Sequence, residues 1–556
     1  MPYSRREFIK TTTLATTGII VGCSVKNQFN VIIKNGIIID GSGSMPFEAD
    51  IGIIGDRISV IDKNIGNSAD LILNANKQII APGFIDIHTH TDTELIINPT
   101  ADSKIFQGVT TEIGGNCGYS PFPLTQKDFE EYNKNFIERY DENIDWKSIA
   151  EFYERLEKGK ISINYASFTG HGNIRAFIVG KNDIAPTNDQ LKLMKNVIAQ
   201  SMEMGSLGLS TGLEYSPGSY AKTEELIELS KVVGEKNGVY ATHMRNEDDT
   251  VEEAIEEALR ICREANVSLQ ISHLKAGNPA NWHKVDNMLN MIESSYESGL
   301  PVLADRYPYT AYGTGLSAFL PLWARQGDTD DLLNRLQDKT QIDKIEKYSQ
   351  GRARRIGGWD KVVLSSCFTE GNKIFEGKSI KEAATQKNIS EFEFVKNIVI
   401  EERNRVSIIG FAMSEENIKK VLSHPLVMIG SDGTAVAPSG KLAHGKPHPR
   451  YYGTFPRVLG KYVRDEKFFD LPTGIKKMTS MPADKLGLNG RGLIQKGNYA
   501  DIVIFDPNKV IDKATFVDPH QLATGIDYVI VNGQVTIEHG THKGNLNGKI
   551  IRHLDT

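Results

Sequence analysis

The chain has 556 residues, 40 % of them hydrophobic, and a formal net charge of −6. That is enough apolar material for a large core, and the acidic balance offers nucleic acid or another polyanion little attraction. No low-complexity tract, coiled-coil repeat or apolar run of transmembrane length stands out, which sets aside disordered, fibrous and membrane-spanning classes.

In chain order, the first segment reads as a targeting signal, residues 1–28, to be kept out of the fold. Ser4-Arg-Arg-Glu-Phe-Ile-Lys10 followed by the modestly apolar stretch Thr11 to Val21 resembles a twin-arginine export signal. Ile20-Val-Gly-Cys23 resembles a lipoprotein cleavage box, with Cys23 as the lipidated residue. The expected address is the cell envelope or periplasm, with the membrane contacted only through that lipid. Three cysteines then remain, Cys117, Cys262 and Cys367, too few and too scattered for a disulfide framework. Cys262 and Cys367 follow apolar patterns and read as small buried hydrophobes.

Residues 29–81 and 489–556 are rich in short β-branched runs broken by turns such as Asn35-Gly36 and Asn532-Gly533. Neither half is long enough for a domain alone, so together they are expected to make one β-sandwich with residues 82–488 inserted between them.

Within 82–488, five apolar runs each end in a residue able to bind or serve a metal. Ala81-Pro-Gly-Phe-Ile-Asp-Ile-His-Thr-His90 carries two histidines at i and i+2, which in extended chain share a face. Val109 to Cys117 feeds a Gly-rich turn ending in a thiol; Gly238 to His243 and Val267 to His273 end in imidazoles; Pro425 to Asp432 ends in a carboxylate. Strand-like runs at 161–168, 206–210 and 301–305 bring the number to eight. Between them, Thr223–Asn237, stopped by Gly238 as a C′ glycine, and Thr250–Ala265 show helical apolar spacing. Alternating strands and amphipathic helices predict an α/β fold, a (β/α)8 barrel with every ligand at its C-terminal face. The polar, helix-prone piece at about 316–358, between strands seven and eight, is too long for a plain connection and is expected to form an insertion subdomain over the mouth.

The segments PGFIDIHTH, GVTTEIGGNCGYSP, FTGHGNIR, GSLGLSTGLEYSPGSYA, ATHMRNE, ISHLK, YPYTA, IGSDG and HPRYYGTFPRVL resemble the amidohydrolase superfamily of metal-dependent hydrolases, and within it the N-acyl-D-amino-acid deacylases. The resemblance covers nearly everything after the first thirty residues. It implies the barrel with its small β-domain, hydrolysis of a linear amide, and D stereochemistry; Cys117 in GGNCG is what most separates this group from relatives that use a carboxylated lysine.

Ligand types carry the chemistry further. A thiolate with two imidazoles, Cys117, His243 and His273, suits one tightly held Zn2+. His88, His90 and Asp432 make a harder, more open set for a second, weaker position. Asp432 is the expected general base and acid. Near the same barrel face stand Lys275, Tyr215, Tyr309 and Arg450, to which the resemblance gives substrate roles, with Arg450 the first choice for an α-carboxylate because a guanidinium grips it by two parallel bonds. His171 in Gly-His-Gly either lines the pocket or stabilises its loop. The expected small-molecule partner is an N-acyl amino acid. The rival readings are an amidohydrolase acting on a cyclic amide or dipeptide, a metal-free binding protein on the same fold, and a lipoprotein that captures ligand for a transporter.

Overall fold

Strands that are buried on both faces must be apolar on both, and the barrel strands are. The computed structural model describes residues 29–553, so the export reading of Arg5, Arg6 and Cys23 lies outside the described residues. Phe84–Asp86 pairs in parallel with Val109–Gly114, which pairs with Asn164–Ser167; Thr169–Gly170 continues that third strand after a break at Phe168. Gly208–Gly212, Val239–His243, Ser268–Ile271, Val302–Arg306 and Val427–Ile429 follow, each parallel to the last. The ring closes where the Asp432 N–H donates to the His88 carbonyl at 2.8 Å and the His90 N–H donates to the Gly433 carbonyl at 2.8 Å. These eight strands stand in sequence order, the (β/α)8 arrangement.

The helices Thr223–Glu235 and Val251–Ala265 turn Leu226, Leu229 and Val233, and Ala254, Ile255, Ala258, Leu259 and Cys262, onto the strands. The first ends differently from the expectation. Asn237, at φ 56°, takes the left-handed position, while a Cβ at Gly238 would press on the Met202 Cε at 2.5 Å and the Val233 Cγ1 at 2.9 Å, so a side chain there would require those neighbours to shift. Cys262 and Cys367 are buried free thiols.

The two flanks are one hydrogen-bonded unit. Ile502–Phe505 runs antiparallel to Ile79–Pro82, which joins both halves in a nine-stranded mixed sheet. Side chains alternate along it: Ile80, Ile502, Ile504 and Ile530 fill the small domain's own core, while Ile79, Ala81, Val503, Phe505 and Val529 pack on the barrel with Phe84 and Val109. Full burial of each such aliphatic side chain is worth about 1.5–3 kcal/mol. The sheet thereby fixes the first barrel strand, which leaves it after only Gly83, whose N–H donates to the Asp501 carbonyl at 2.8 Å.

The insertion after strand seven is larger than 316–358. It begins with Tyr312–Gly315, carries the helices Thr329–Gln337, Ile342–Ile356, Ile380–Lys387 and Glu391–Glu401, and adds strands Val362–Ser366 and Ser407–Gly410. The three strands form an antiparallel sheet in the order 312–315, 407–410, 362–366, over a core that includes Phe319, Leu336, Ile345, Trp359, Leu364 and Phe394. The middle strand comes last in sequence, so an expectation built from local patterns stops short of it. Among the described residues no helix is long and apolar enough to cross a membrane.

Candidate metal centre

All six expected ligand residues converge at the C-terminal mouth of the barrel. They form two groups, His88, His90, Cys117 and Asp432, and Cys117, His243 and His273, each with its donor atoms within 4.8 Å of one another. In the second group the Cys117 Sγ lies 3.4 Å from the His273 Nε2, which lies 2.9 Å from the His243 Nδ1. In the first, the Cys117 Sγ is 3.3 Å from the His88 Nε2, and Asp432 Oδ1 is 3.0 Å from the His90 Nε2 and 3.6 Å from the His88 Nε2. Tetrahedral zinc with Zn–S of about 2.3 Å and Zn–N of about 2.0–2.1 Å separates its ligand atoms by about 3.3–3.6 Å, so the thiol and imidazoles have the chemistry and nearly the spacing of such a site. Cys117 is common to both groups.

Three of these residues have left-handed backbones: Cys117 at φ 52°, His273 at 37° and Asp432 at 50°. Each such non-glycine conformation costs about 1–3 kcal/mol and persists only where the surroundings over-determine it. They do so here. The His273 N–H donates to Asp305 Oδ1 at 2.9 Å, and the N–H of Gly118, next to Cys117, donates to the Ser210 hydroxyl at 3.1 Å. Gly118 itself admits no side chain, because a Cβ would come within 2.5 Å of the Gly212 nitrogen.

Two acids that the sequence did not single out orient the imidazoles. Asp305, fully buried at the end of strand seven, accepts from Gln270 Nε2 at 2.7 Å and faces the His88 Nδ1 at 3.0 Å, which turns the His88 Nε2 toward the thiol. Glu247 places Oε1 2.8 Å from the His273 Nδ1 and Oε2 2.6 Å from the Lys275 Nζ. The signals were present: Asp305 ends an apolar strand as Asp432 does, and Glu247 follows His243 by four residues in ATHMRNE.

The electrostatics favour anionic ligands. Burial raises the Cys117 thiol, but the His88 and His273 rings beside it hold it well below its ordinary value. Burial likewise opposes ionisation of Asp432, and the Arg450 guanidinium, with Nη1 2.7 Å from Oδ2, leads the cations that hold its carboxyl well below the usual range.

A cavity of about 490 Å3 opens over the ligands between the barrel mouth and the insertion. Lys275, Tyr215 and Arg450 line it. Tyr215 packs its ring 4.8 Å from that of His243, and its hydroxyl is 3.4 Å from that of Thr314. Arg450 opens the helix Arg450–Arg457 rather than lying in a loop. Two expected residues stand outside the lining. Tyr309 is buried behind His448, its hydroxyl donating to Asp512 Oδ2 at 3.2 Å and the Pro449 carbonyl at 3.4 Å, because the chain turns away after strand seven into the insertion. His171 is wholly buried, its Nε2 3.0 Å from Glu225, which also pairs with Arg175 at 3.0 Å. His171 opens the helix His171–Ile178.

A closed barrel of this order with a thiol–imidazole–carboxylate centre at its mouth defines a metal-dependent hydrolase of the amidohydrolase type. Comparison with known proteins agrees: residues 375–537 match the model of the Amidohydrolase family. The chain is 33 % identical to a D-aminoacylase of Alcaligenes xylosoxydans xylosoxydans, over 95 % of this chain and 98 % of that protein. It is 32 % identical to an N-acyl-D-glutamate deacylase of the same organism, over 92 % and 94 %. Among solved structures, it superposes with a TM-score of 0.79 on the N-acyl-D-glutamate deacylase of Bordetella bronchiseptica, complexed with zinc and a phosphonate mimic of the tetrahedral intermediate, at 30 % identity over 94 % of this chain and all of that one. The chain belongs to the amidohydrolase family and, within it, to the N-acyl-D-amino-acid deacylases.

Proposed function

We propose that the protein is a zinc-dependent deacylase that hydrolyses N-acyl-D-amino acids to a carboxylate and a free D-amino acid. The observation that carries this reading is the juxtaposition of Cys117, His243 and His273, a donor set for one Zn2+, with the ionised carboxylate of Asp432 in the same cavity. The relatives' zinc and substrates support it. When bound, the metal supplies Lewis-acid polarisation of the scissile carbonyl and makes water a usable nucleophile near neutral pH. Asp432 takes the proton from the attacking water and returns it to the leaving nitrogen. Arg450 holds Asp432 in place and offers its remaining edge to the substrate: its Nε is buried without a protein partner. Lys275, fixed by Glu247, adds positive charge on the same wall. A screen of N-acetyl-D- and L-amino acids on zinc-assayed protein tests the reading. Cleavage of D substrates is expected; turnover of cyclic amides alone would replace it.

Arg450 as the α-carboxylate anchor gives a sharper expectation. A lysine supplies charge but not the fork, and a hydrogen bond to a charged group is worth about 1.5–3 kcal/mol, so Arg450→Lys should lower kcat/KM at least about tenfold. Methyl esters of good substrates should suffer a similar loss with the wild type. Equal turnover of acid and ester would remove the anchor.

We also propose export by the twin-arginine route with a lipid on Cys23, supported by the order and spacing of Arg5, Arg6 and Cys23. Arg5→Lys with Arg6→Lys should trap the protein in the cytoplasm. Labelled fatty acid should appear on the wild-type chain and not on Cys23→Ala; its absence from the wild type would overturn the lipid anchor.

A further inference from the structure

The ring of strands closes at the loop after strand eight, residues 431–435, and one buried cluster holds that loop. Asp86, Thr91, Lys104, Glu112 and Ser431 are all wholly buried and stand outside both ligand groups. Lys104 reaches in from the short helix Asp102–Ile105, and its ammonium uses all three donors: Asp86 Oδ2 at 2.9 Å, Glu112 Oε1 at 3.0 Å and the Ser431 hydroxyl at 2.8 Å. A buried cation needs such a full complement. Burial opposes the charge, and Asp86 followed by Glu112 more than offsets it, holding the ammonium above its ordinary value.

From this one ammonium the bonds run to every second residue of the loop. The Ser431 N–H donates to Asp86 Oδ1 at 2.8 Å, and the Gly433 N–H donates to the Ser431 hydroxyl at 3.0 Å. The Ala435 N–H donates to the Thr91 hydroxyl at 2.8 Å, which donates in turn to Glu112 Oε1 at 3.0 Å. The helix that carries Lys104 is tied to the same loop: the Ser103 N–H donates to the Val436 carbonyl at 2.9 Å, and the Val436 N–H to the Ser103 hydroxyl at 2.9 Å. Residues 431, 433 and 435 are thus bonded into the cluster. Asp432, between the first two, sends its carboxylate the other way, Oδ2 to 2.7 Å from the Arg450 Nη1 and Oδ1 to 3.0 Å from the His90 Nε2. Its left-handed backbone, φ 50°, is sustained only by surroundings of this kind.

Resting on Asp432 as the proton carrier of the proposed hydrolysis, we infer that Lys104 is a positioning residue for it. Through Ser431, Asp86 and the Thr91–Glu112 pair, Lys104 fixes the turn that aims the Asp432 carboxylate, and it does so without touching substrate or metal.

Two variants loosen the turn while keeping Asp432. Ser431→Ala deletes one hydroxyl. Lys104→Met combined with Glu112→Gln removes the ammonium and one acid together, so no extra charge is left buried; burial already pushes the Glu112 carboxyl up to about 7 despite Lys104, which makes the amide a mild replacement. On the zinc-loaded full chain with an N-acetyl-D-amino acid, kcat per bound zinc should fall at least about tenfold in Ser431→Ala and about a hundredfold in the combined variant. KM should stay within about threefold of the wild type, because a small misplacement of a reacting group costs rate rather than binding. Adding Ser431→Ala to Asp432→Asn should change the residual rate less than about twofold, since the hydroxyl acts through that carboxylate. A loss carried by KM, a full further loss on top of Asp432→Asn, or wild-type kcat in both variants with zinc content and circular dichroism unchanged would overturn the inference. Should the combined variant not fold, Ser431→Ala alone decides. If Asp432→Asn keeps its activity, or no N-acyl-D-amino acid is cleaved, the hydrolytic reading fails on its own. Crystal structures of the zinc-loaded variants then decide the positioning: an Asp432 turned out of the left-handed region, or its carboxylate moved off Arg450, supports it, and an unmoved Asp432 overturns it.

Discussion

Asp432→Asn should leave the fold and the tightly held zinc in place and lower hydrolysis by about three orders of magnitude or more. The tight trio, Cys117, His243 and His273, does not include Asp432, and the amide matches the carboxylate in size. What it lacks is the capacity to take up and return a proton. The Asp432 carboxyl is held well below the usual range against the cost of burial, chiefly by Arg450 2.7 Å away and then by His273. A depressed value means the base form persists as pH falls well into the acid range, so the carboxylate is ready at neutral pH without a prior deprotonation. A base held that low is weak on its own account, and a bound metal would supply the acidification of water that such a base needs. Single-turnover rates with metal content measured on the same samples separate loss of chemistry from loss of zinc. Activity within about tenfold of the wild type would show that another group moves the proton.

The convergence of the candidate ligands was legible because the barrel's construction repeats one local signal. A parallel strand covered on both faces reads as an apolar run, and its C-terminal end faces the mouth. His243, His273 and Asp432 are polar residues at the ends of such runs, and each lies at the centre. The signal fades where placement depends on distant chain. Tyr309 follows strand seven just as Lys275 follows strand six, yet the chain turns into the insertion and carries its ring behind His448, while Lys275 stays at the cavity wall. Asp305 reads as an ordinary strand end until His88, 217 positions away, is seen 3.0 Å from it. The insertion's extent was hidden for the same reason: Tyr312–Gly315 and Val362–Ser366 are four and five residues long, and both pair with Ser407–Gly410, which follows them by four and two α-helices respectively.

Cys117→Ala should abolish tight zinc binding and with it nearly all activity. The thiol is the one donor common to both ligand groups, 3.4 Å from the His273 Nε2 and 3.3 Å from the His88 Nε2. As a thiolate it brings a full negative charge, already favoured by the flanking imidazoles despite burial, whereas the histidines that remain are neutral donors. His243 and His273 alone supply two ligands where structural and catalytic zinc sites take three or four from the protein. The contrast is His88→Ala, which removes a ligand of the more open group only and should leave much of the zinc in place. The two variants therefore separate in metal content before any rate is measured. Chelator titration followed by elemental analysis reads it directly: near-stoichiometric zinc surviving in Cys117→Ala would show that the imidazoles and Asp432 hold the metal without the thiolate, and equal zinc loss in both variants would show that the two groups do not divide into a tight and a weaker position. The left-handed backbone at Cys117 adds a second readout. With φ at 52° held by its neighbours, alanine inherits the strain without a metal bond to offset it, so the variant should melt below the zinc-loaded wild type and within a few degrees of the metal-stripped wild type. A much larger drop would mean that the turn had collapsed, and the zinc loss would then have to be tested in Cys117→Ser, which keeps a small polar group at the same place.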